Sequence, residues 1–271
     1  MILLRETKML IVGEKINTTL KGVDGIIAGR NASALQDLAK KQIEAGADMV
    51  DVNVGTRVKT ESEDMQWAIK TIQEVIDKPL CIDSPNPEVL EAGLKVHKGK
   101  PLINSTTAEK ERLQRILPLV KKYDFRIVAL TMDDTGIPED AEKRYTIAGK
   151  LIESLVREGM KLEDIYIDPL VRPISTDSNM GKVVLDAIER ISISFKGVHL
   201  ICGLSNISFG LPRRGLLNRV FLSMAIERGL DAAIIDPLDK QVMSTIFAAR
   251  ALVGKDEFCT DYLSAFRQGK L

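Results

Sequence analysis

Eight short apolar runs recur along this chain, each followed by a longer stretch of helical period. The runs begin near Met9, Asp48, Pro79, Pro101, Phe125, Asp164, His199 and Asp231, at spacings of 39, 31, 22, 24, 39, 35 and 32 residues. One strand and the helix that returns the chain occupy about 30 residues, so each interval holds one βα unit. Eight such units without a Gly/Ser/Pro-rich linker predict an α/β protein, a single (β/α)8 TIM barrel starting at about residue 9 and using residues 1–271 as one domain. The length of 271 residues would also suit two domains, at about 150 residues each, but the uninterrupted alternation favours one barrel. An open doubly wound sheet normally carries a glycine-rich phosphate turn after its first strand. Here that turn reads Gly13-Glu14-Lys15-Ile16-Asn17, and neither GxGxxG nor GxxxxGK[ST] occurs.

Helical spacing supports the intervals. Met65, Ala68, Ile69, Ile72, Val75 and Ile76 follow i, i+3, i+4, i+7, and Thr60 with Glu63 forms a capping box ahead of them. Thr106 and Glu109 repeat that box before Leu113, Ile116, Leu117 and Val120. Leu216, Leu217, Val220, Phe221 and Met224 form a third stripe, and each stripe is expected to pack into the core.

Charge excludes several functions. Thirty-eight basic residues balance 38 acidic ones, which argues against a nucleic-acid binder with a basic face. The longest apolar runs, Met9-Leu10-Ile11-Val12 and Ile127-Val128-Ala129-Leu130, fall far short of the roughly 18 residues of a membrane span. Arg5, Glu6 and Lys8 make the N-terminus a poor signal peptide. Cys81, Cys202 and Cys259 are odd in number and read as reduced thiols of a cytoplasmic protein. His97 and His199 are too few for a three-histidine zinc site.

Chemistry in such a barrel belongs at the C-terminal strand ends. The runs end in Glu14, in Asp51-Val52-Asn53, in Asp83-Ser84, in Asn104-Ser105, in Thr131-Met132-Asp133-Asp134, in Asp168-Pro169, in Ser205-Asn206 and in Asp236-Pro237. Side chains alternate along a strand, so Asp51 and Asn53 share one face. Asp and Asn at a strand exit commonly cap the next helix. The set Asp83, Asn104, Asp168 and Asn206 outweighs that reading, while Glu14, Asp51 and Asp236 fit a structural network equally well. Carboxylates accept hydrogen bonds and amides both donate and accept. This rim therefore suits a flat heterocycle with a donor edge, such as a 2-amino-4-oxopyrimidine. Strand ends without lysine argue against a Schiff-base aldolase, and no Ser-His-Asp or Cys-His pair stands out.

These residues resemble a known family. Gly13-Glu14-Lys15-Ile16-Asn17, Asp51-Val52-Asn53-Val54-Gly55, Cys81-Ile82-Asp83-Ser84, Ile103-Asn104-Ser105-Thr106, Leu130-Thr131-Met132, Tyr166-Ile167-Asp168-Pro169-Leu170 and Gly203-Leu204-Ser205-Asn206 look like the motifs of the pterin-binding methyltetrahydrofolate:corrinoid protein methyltransferases. The nearest named group is the methyltetrahydrofolate:corrinoid/iron–sulfur protein methyltransferases. More distant are the pterin domain of methionine synthase and dihydropteroate synthase. The resemblance implies a pterin-binding barrel that transfers a methyl group between N5 of methyltetrahydrofolate and the cobalt of a corrinoid (cobalamin), in a direction the sequence leaves open. It implies Asn206 at N5 as the catalytic group. Asp83, Asn104, Asp168, Ser205 and Arg214 would bind substrate, supported by Glu14, Asp51, Asn53, Met132 and Asp236. It further implies a homodimer without a tightly bound metal. The barrel uses the whole chain, so the corrinoid is expected on a separate protein. The chain departs from the family pattern at Phe209, where a polar residue is expected, and at Asp133, where relatives can carry Asn. The alternatives are a dihydropteroate synthase-like enzyme, a non-catalytic barrel that binds folate or a corrinoid protein, and a Mg²⁺-dependent barrel hydrolase.

Overall fold

The computed structural model describes residues 8–271; Arg5 and Glu6, which argue against a signal peptide, lie outside them. The chain runs β1 (Leu10–Asn17), α1 (Val23–Ala28), α2 (Ala32–Glu44), β2 (Met49–Asn53), α3 (Glu61–Ile72), β3 (Leu80–Asp83), α4 (Pro87–Leu94), β4 (Leu102–Thr107) and α5 (Lys110–Lys122). It continues β5 (Arg126–Leu130), α6 (Ala141–Arg157), β6 (Ile165–Asp168), α7 (Met180–Ser194), β7 (His199–Leu200), α8 (Arg214–Arg228), β8 (Ala232–Ile235), α9 (Lys240–Leu252) and α10 (Thr260–Arg267). Each strand falls at one of the eight apolar runs.

The strands are parallel in the order β7-β6-β5-β4-β3-β2-β1-β8. A bridge from Gly203 to Ile234 joins the two ends, with Ile234 N donating to Cys202 O at 2.9 Å, and closes the sheet into a barrel. Alternation along the strands separates two cores. Val12, Met49, Cys81, Leu102, Val128, Tyr166, Ile201 and Ala232 fill the barrel interior. Ile11, Val50, Val52, Leu80, Ile82, Ile103, Ile127, Ile165, Ile167 and Ala233 face outward and pack under the helices. The inward plug is apolar and makes the barrel floor solid.

The helix starts differ from expectation in two places. Thr60 precedes α3, but its hydroxyl bonds the Asp64 carboxylate at 2.6 Å rather than a backbone amide. Thr106 lies buried within β4, and the Thr107 hydroxyl bonds Glu109 just before α5. Asn86, with Pro87 after it, caps α4 by accepting from Glu88 N at 3.0 Å. The third stripe is split. Phe221 is buried, but Leu216, Val220 and Met224 are 54%, 52% and 49% exposed. The core-facing side of α8 is instead Phe221, Leu222, Ala225 and Ile226.

Gly13–Asn17 is strand rather than turn. The β1–β2 register slips between Gly13 and Ile16, so Glu14 and Lys15 together oppose one residue of β2. This bulge aims both side chains at the barrel mouth. Gln42 of α2, fully buried, holds it by accepting from Lys15 N at 2.9 Å. A Cβ on Gly13 would collide with that same amide.

Candidate active site

Above the apolar plug, the next inward position is polar on five of the strands, while β5 and β8 place Leu130 and Ile234 there. Glu14 (β1), Asp51 and Asn53 (β2), Asp83 (β3), Asn104 (β4), Asp168 (β6) and Asp236 after β8 ring the mouth at the C-terminal ends of the strands. The period-two reading of Asp51 and Asn53 therefore holds, and both point inward. Met132 follows β5, partly buried, and its carbonyl accepts from Ala108 N at 2.8 Å. Asp133 lies outside the ring in a turn, accepting from Thr135 N and Thr135 Oγ1.

The layer is cross-linked. Asn53 Nδ2 donates to Asp83 Oδ2 at 2.8 Å, and Asn53 Oδ1 accepts from Gly55 N. Lys15 Nζ meets Asp236 Oδ2 at 2.8 Å. A lysine therefore does stand on the rim, contrary to the sequence expectation, because the bulge lengthens β1 past Gly13. The lysine is held as an ion-pair partner. Asp168 Oδ1 accepts from Leu170 N at 2.7 Å. Three buried side-chain atoms have no hydrogen-bond partner among the described residues, Asp51 Oδ1, Thr131 Oγ1 and Arg144 Nε. Orphaned polar atoms of this kind cost about 1–3 kcal/mol each in a dry site.

Burial raises the acids together, because low-polarity surroundings disfavour the charged form. Asp168 is pushed up to about 7 by burial, opposed by the Leu170 amide and by Arg144. Asp83 rises to about 6 by burial, against the Asn53 hydrogen bond and Arg112. Glu14 rises to about 7 by burial and the nearby Asp236, eased by Lys15 and Arg214. Asp51 is driven well above the usual carboxylate range by burial and by Asp83. The buried Cys81 and Cys202 thiols are pushed up as well, each first by its own burial and then by the acids above it. Hydrogen-bond donors of a ligand would meet groups here that are poised to change protonation.

Asn206 is placed differently from expectation. Strand β7 ends at Leu200, and Asn206 lies in a 3-10 turn over Leu204–Ser208. Its side chain is exposed and makes no hydrogen bond among the described residues, and its Nδ2 would lie 3.3 Å from a Cβ on Gly203. A glycine at 203 thus lets the amide lie close over the chain. Arg214, the first residue of α8, ties this turn down: Nη2 donates to Ser205 O at 2.6 Å and Nε to Ser208 Oγ at 3.1 Å. The Ser205 carbonyl is thereby taken up by Arg214.

Two arginines that the sequence pattern does not single out support the ring. Arg144 of α6 is fully buried and donates to Pro138 O at 2.9 Å, to Leu170 O at 2.5 Å and to Pro169 O. It fixes the turn in which Leu170, at φ 62°, bonds Asp168. Arg112 of α5 donates to Ser105 O at 2.6 Å and lies beside Asp83. Both sit on helices of mixed polarity, where an arginine reads as solvent-facing. Only the fold brings their ends to the rim. Gln42 of α2 is hidden in the sequence for the same reason, whereas Ser84, which follows β3, bonds Glu61 at 2.7 Å.

No group of three His, Cys, Asp or Glu gathers in metal-binding geometry among the described residues. The pterin binding enzyme family matches residues 14–236. The chain is 38% identical over 265 residues to the methylcorrinoid:tetrahydrofolate methyltransferase of Eubacterium limosum, covering 97% of this chain and 98% of that protein. It is 31% identical over 244 residues to methionine synthase of Mycobacterium tuberculosis, covering 85% of this chain but only 20% of that enzyme. Among solved structures it superposes on dihydropteroate synthase of Coxiella burnetii with a TM-score of 0.70, at 14% identity and covering 92% and 95% of the two chains. Dihydropteroate synthase of Xanthomonas albilineans gives 0.69 at 18% identity, covering 91% and 94%. Those two likenesses speak for the fold alone. With its motifs on one rim and this similarity along nearly its whole length, the chain belongs to the pterin-binding enzyme family.

Proposed function

We propose that this chain is a methyltransferase that moves a methyl group between N5 of methyltetrahydrofolate and the cobalt of a corrinoid carried by a separate protein. The observation that carries the reading is the inward-facing layer of acids and amides that five strands place over a solid apolar barrel. Such a dish presents acceptors to the 2-amino and N3–H edge of a pterin. Near-full-length similarity to a methylcorrinoid:tetrahydrofolate methyltransferase supports the choice of reaction over dihydropteroate synthesis.

Asp83, Asn104 and Asp168 hold the pterin ring, with Asp51, Asn53, Glu14, Met132 and Asp236 as the supporting network. The corrinoid supplies the nucleophile or, in reverse, the methyl donor. The chain's own task is at N5. As the C–N bond breaks, charge builds on a nitrogen that leaves more readily when it is protonated or hydrogen-bonded. Asn206, exposed and unpartnered at the edge of the dish, can turn either its donor or its acceptor to N5 as that charge changes. The same transition state serves both directions. We place the whole of residues 1–271 in one domain.

The homodimer reading draws support from the half-exposed Leu216, Val220 and Met224 on α8. Among the described residues no helix is long and apolar enough to cross a membrane. The free Cys81 and Cys202 suit a reducing cytoplasm. The balanced charge supports partners other than nucleic acid.

The test is methyl exchange between free methylcobalamin and tetrahydrofolate by the purified protein. Folded protein without turnover in either direction overturns the proposal. Asn206→Ala should lower turnover about 100-fold, as expected for one group that follows developing charge. Folate affinity should fall far less, and equal losses in both would contradict a role at N5.

A further inference from the structure

The ring of helices around the barrel has a seam on its side. Helices pack on their neighbours at α2–α3, α3–α4, α6–α7, α7–α8 and α8–α9. Strands β1 and β8 pair where the barrel closes, which sets α9 alongside α2, but these two helices do not pack in the same way. The turn after α2 meets α9 closely at Gly46. This residue has φ 109°, and a Cβ on it would lie 3.0 Å from the Met243 methyl. Beside that contact lies a cavity of about 460 Å³. Its walls are Ile11 of β1, Ala45 after α2, Met243 and Phe247 of α9, and Pro237 and Leu238 from the loop between β8 and α9. Ile11 and Met243 are buried, while Leu238 stands 44% exposed at the opening.

Three lysines border this cavity, Lys8, Lys240 and Lys270, against one carboxylate, Glu44. Lys8 is taken up by Asp48 at 2.7 Å. The ammonium groups of Lys240 and Lys270 are exposed and have no ion-pair or hydrogen-bond partner among the described residues. A cavity of roughly 300–1,000 Å³ with mostly apolar walls and a few charged groups has the make-up of a small-molecule site. The free lysines at its edge select the sign of the ligand. The walls are mainly aliphatic, and Met243 adds a flexible side chain that adapts to what it meets. We infer that the seam binds a small amphipathic anion, an aliphatic chain that ends in a carboxylate. The chain lies against Ile11, Met243 and Phe247, and the carboxylate faces Lys240 and Lys270. This site lies between helices rather than in the barrel mouth, so it stands independently of the methyl-transfer reading.

The experiment titrates the full chain with decanoate, decanol and decyltrimethylammonium by calorimetry. Decanoate should bind at one site per chain, about three- to tenfold more tightly than decanol, the size of one or two exposed charge pairs. The cation should bind more weakly than decanol. Lys240→Ala combined with Lys270→Ala should bring decanoate down to the level of decanol and leave decanol unchanged. Added salt should do the same to the wild type. Ala45→Phe, which fills the cavity, should remove the binding of both. Equal affinity for the three probes overturns the site, as does binding that never saturates. So does an Ala45→Phe variant, shown folded by circular dichroism, that binds like the wild type. Decanoate that binds only once residues 1–7 are removed would assign the groove to the chain's own start, and an affinity that falls as the protein is concentrated would assign it to a second copy. Either result also overturns the proposal. Both lysines are exposed, so their double variant keeps the barrel and decides the charge preference whether or not Ala45→Phe folds.

Discussion

Asp168 shows how a single carboxyl can be tuned by where a strand ends. Burial holds it at about 7, while one backbone amide and the Arg144 charge pull the other way. An unfolded aspartate titrates near ~3.9, so the native state keeps a proton that the unfolded chain gives up between these values. The stabilising effect is then complete below about pH 4 and is lost as pH rises to about 7, at roughly 1.4 kcal/mol per pH unit for one ideal isolated group. Asp168→Asn removes this group from the balance. Urea unfolding should therefore show wild-type stability falling relative to Asp168→Asn between pH 5 and pH 7.5. A constant difference across that range would contradict the raised acid. Ligand binding has the opposite slope, because a carboxylate accepts from pterin donors better than a carboxylic acid does. Affinity for methyltetrahydrofolate should rise as pH passes 7 and then level off.

Among the elements, β1 departs from a simple strand. Its bulge turns Glu14 and Lys15 to the mouth, and Gln42 supplies the acceptor that the slipped Lys15 amide would otherwise lack. Gln42→Ala should cost about 1–3 kcal/mol by leaving that amide unsatisfied. Gly13→Ala should also destabilise the protein, because its new Cβ meets the Gln42 side chain. The two effects share a cause, so the double variant should lose less than their sum. Strict additivity in urea titrations would mean that the clash is relieved elsewhere. The bulge also explains why the run Gly13-Glu14-Lys15-Ile16-Asn17 reads as a turn in the sequence. A Gly followed by charged residues breaks the alternation that identifies a strand, and the inserted residue shifts the period by one.

For the whole molecule, the proposed homodimer requires an apolar face that a second copy could cover. On α8 the residues Leu216, Val220 and Met224 recur every four positions and stand about half exposed, opposite the buried Phe221, Leu222, Ala225 and Ile226. A helix apolar on both sides is suited to lie between its own barrel and a partner. Light scattering should report a dimer for the wild type at micromolar concentration, and Val220→Asp with Met224→Asp should yield a folded monomer. A wild-type monomer, or a variant that stays dimeric, would remove α8 from the interface.

Much of this architecture is written locally. Strand period, helix period and the interval between runs are short-range properties, so the eight βα units and the shared face of Asp51 and Asn53 follow from the sequence alone. The acidic rim was legible for the same reason, since strand ends of a parallel barrel share one end of the molecule. What the tertiary structure alone decides depends on distance through space. It brings Arg144, Arg112 and Gln42 from helices to support the rim, and it raises the acids by burying them together. It ends β7 early, so that Asn206 projects from a turn. It leaves half of the α8 stripe in the open, because a period of 3.6 says that residues share a face but not whether another surface meets that face.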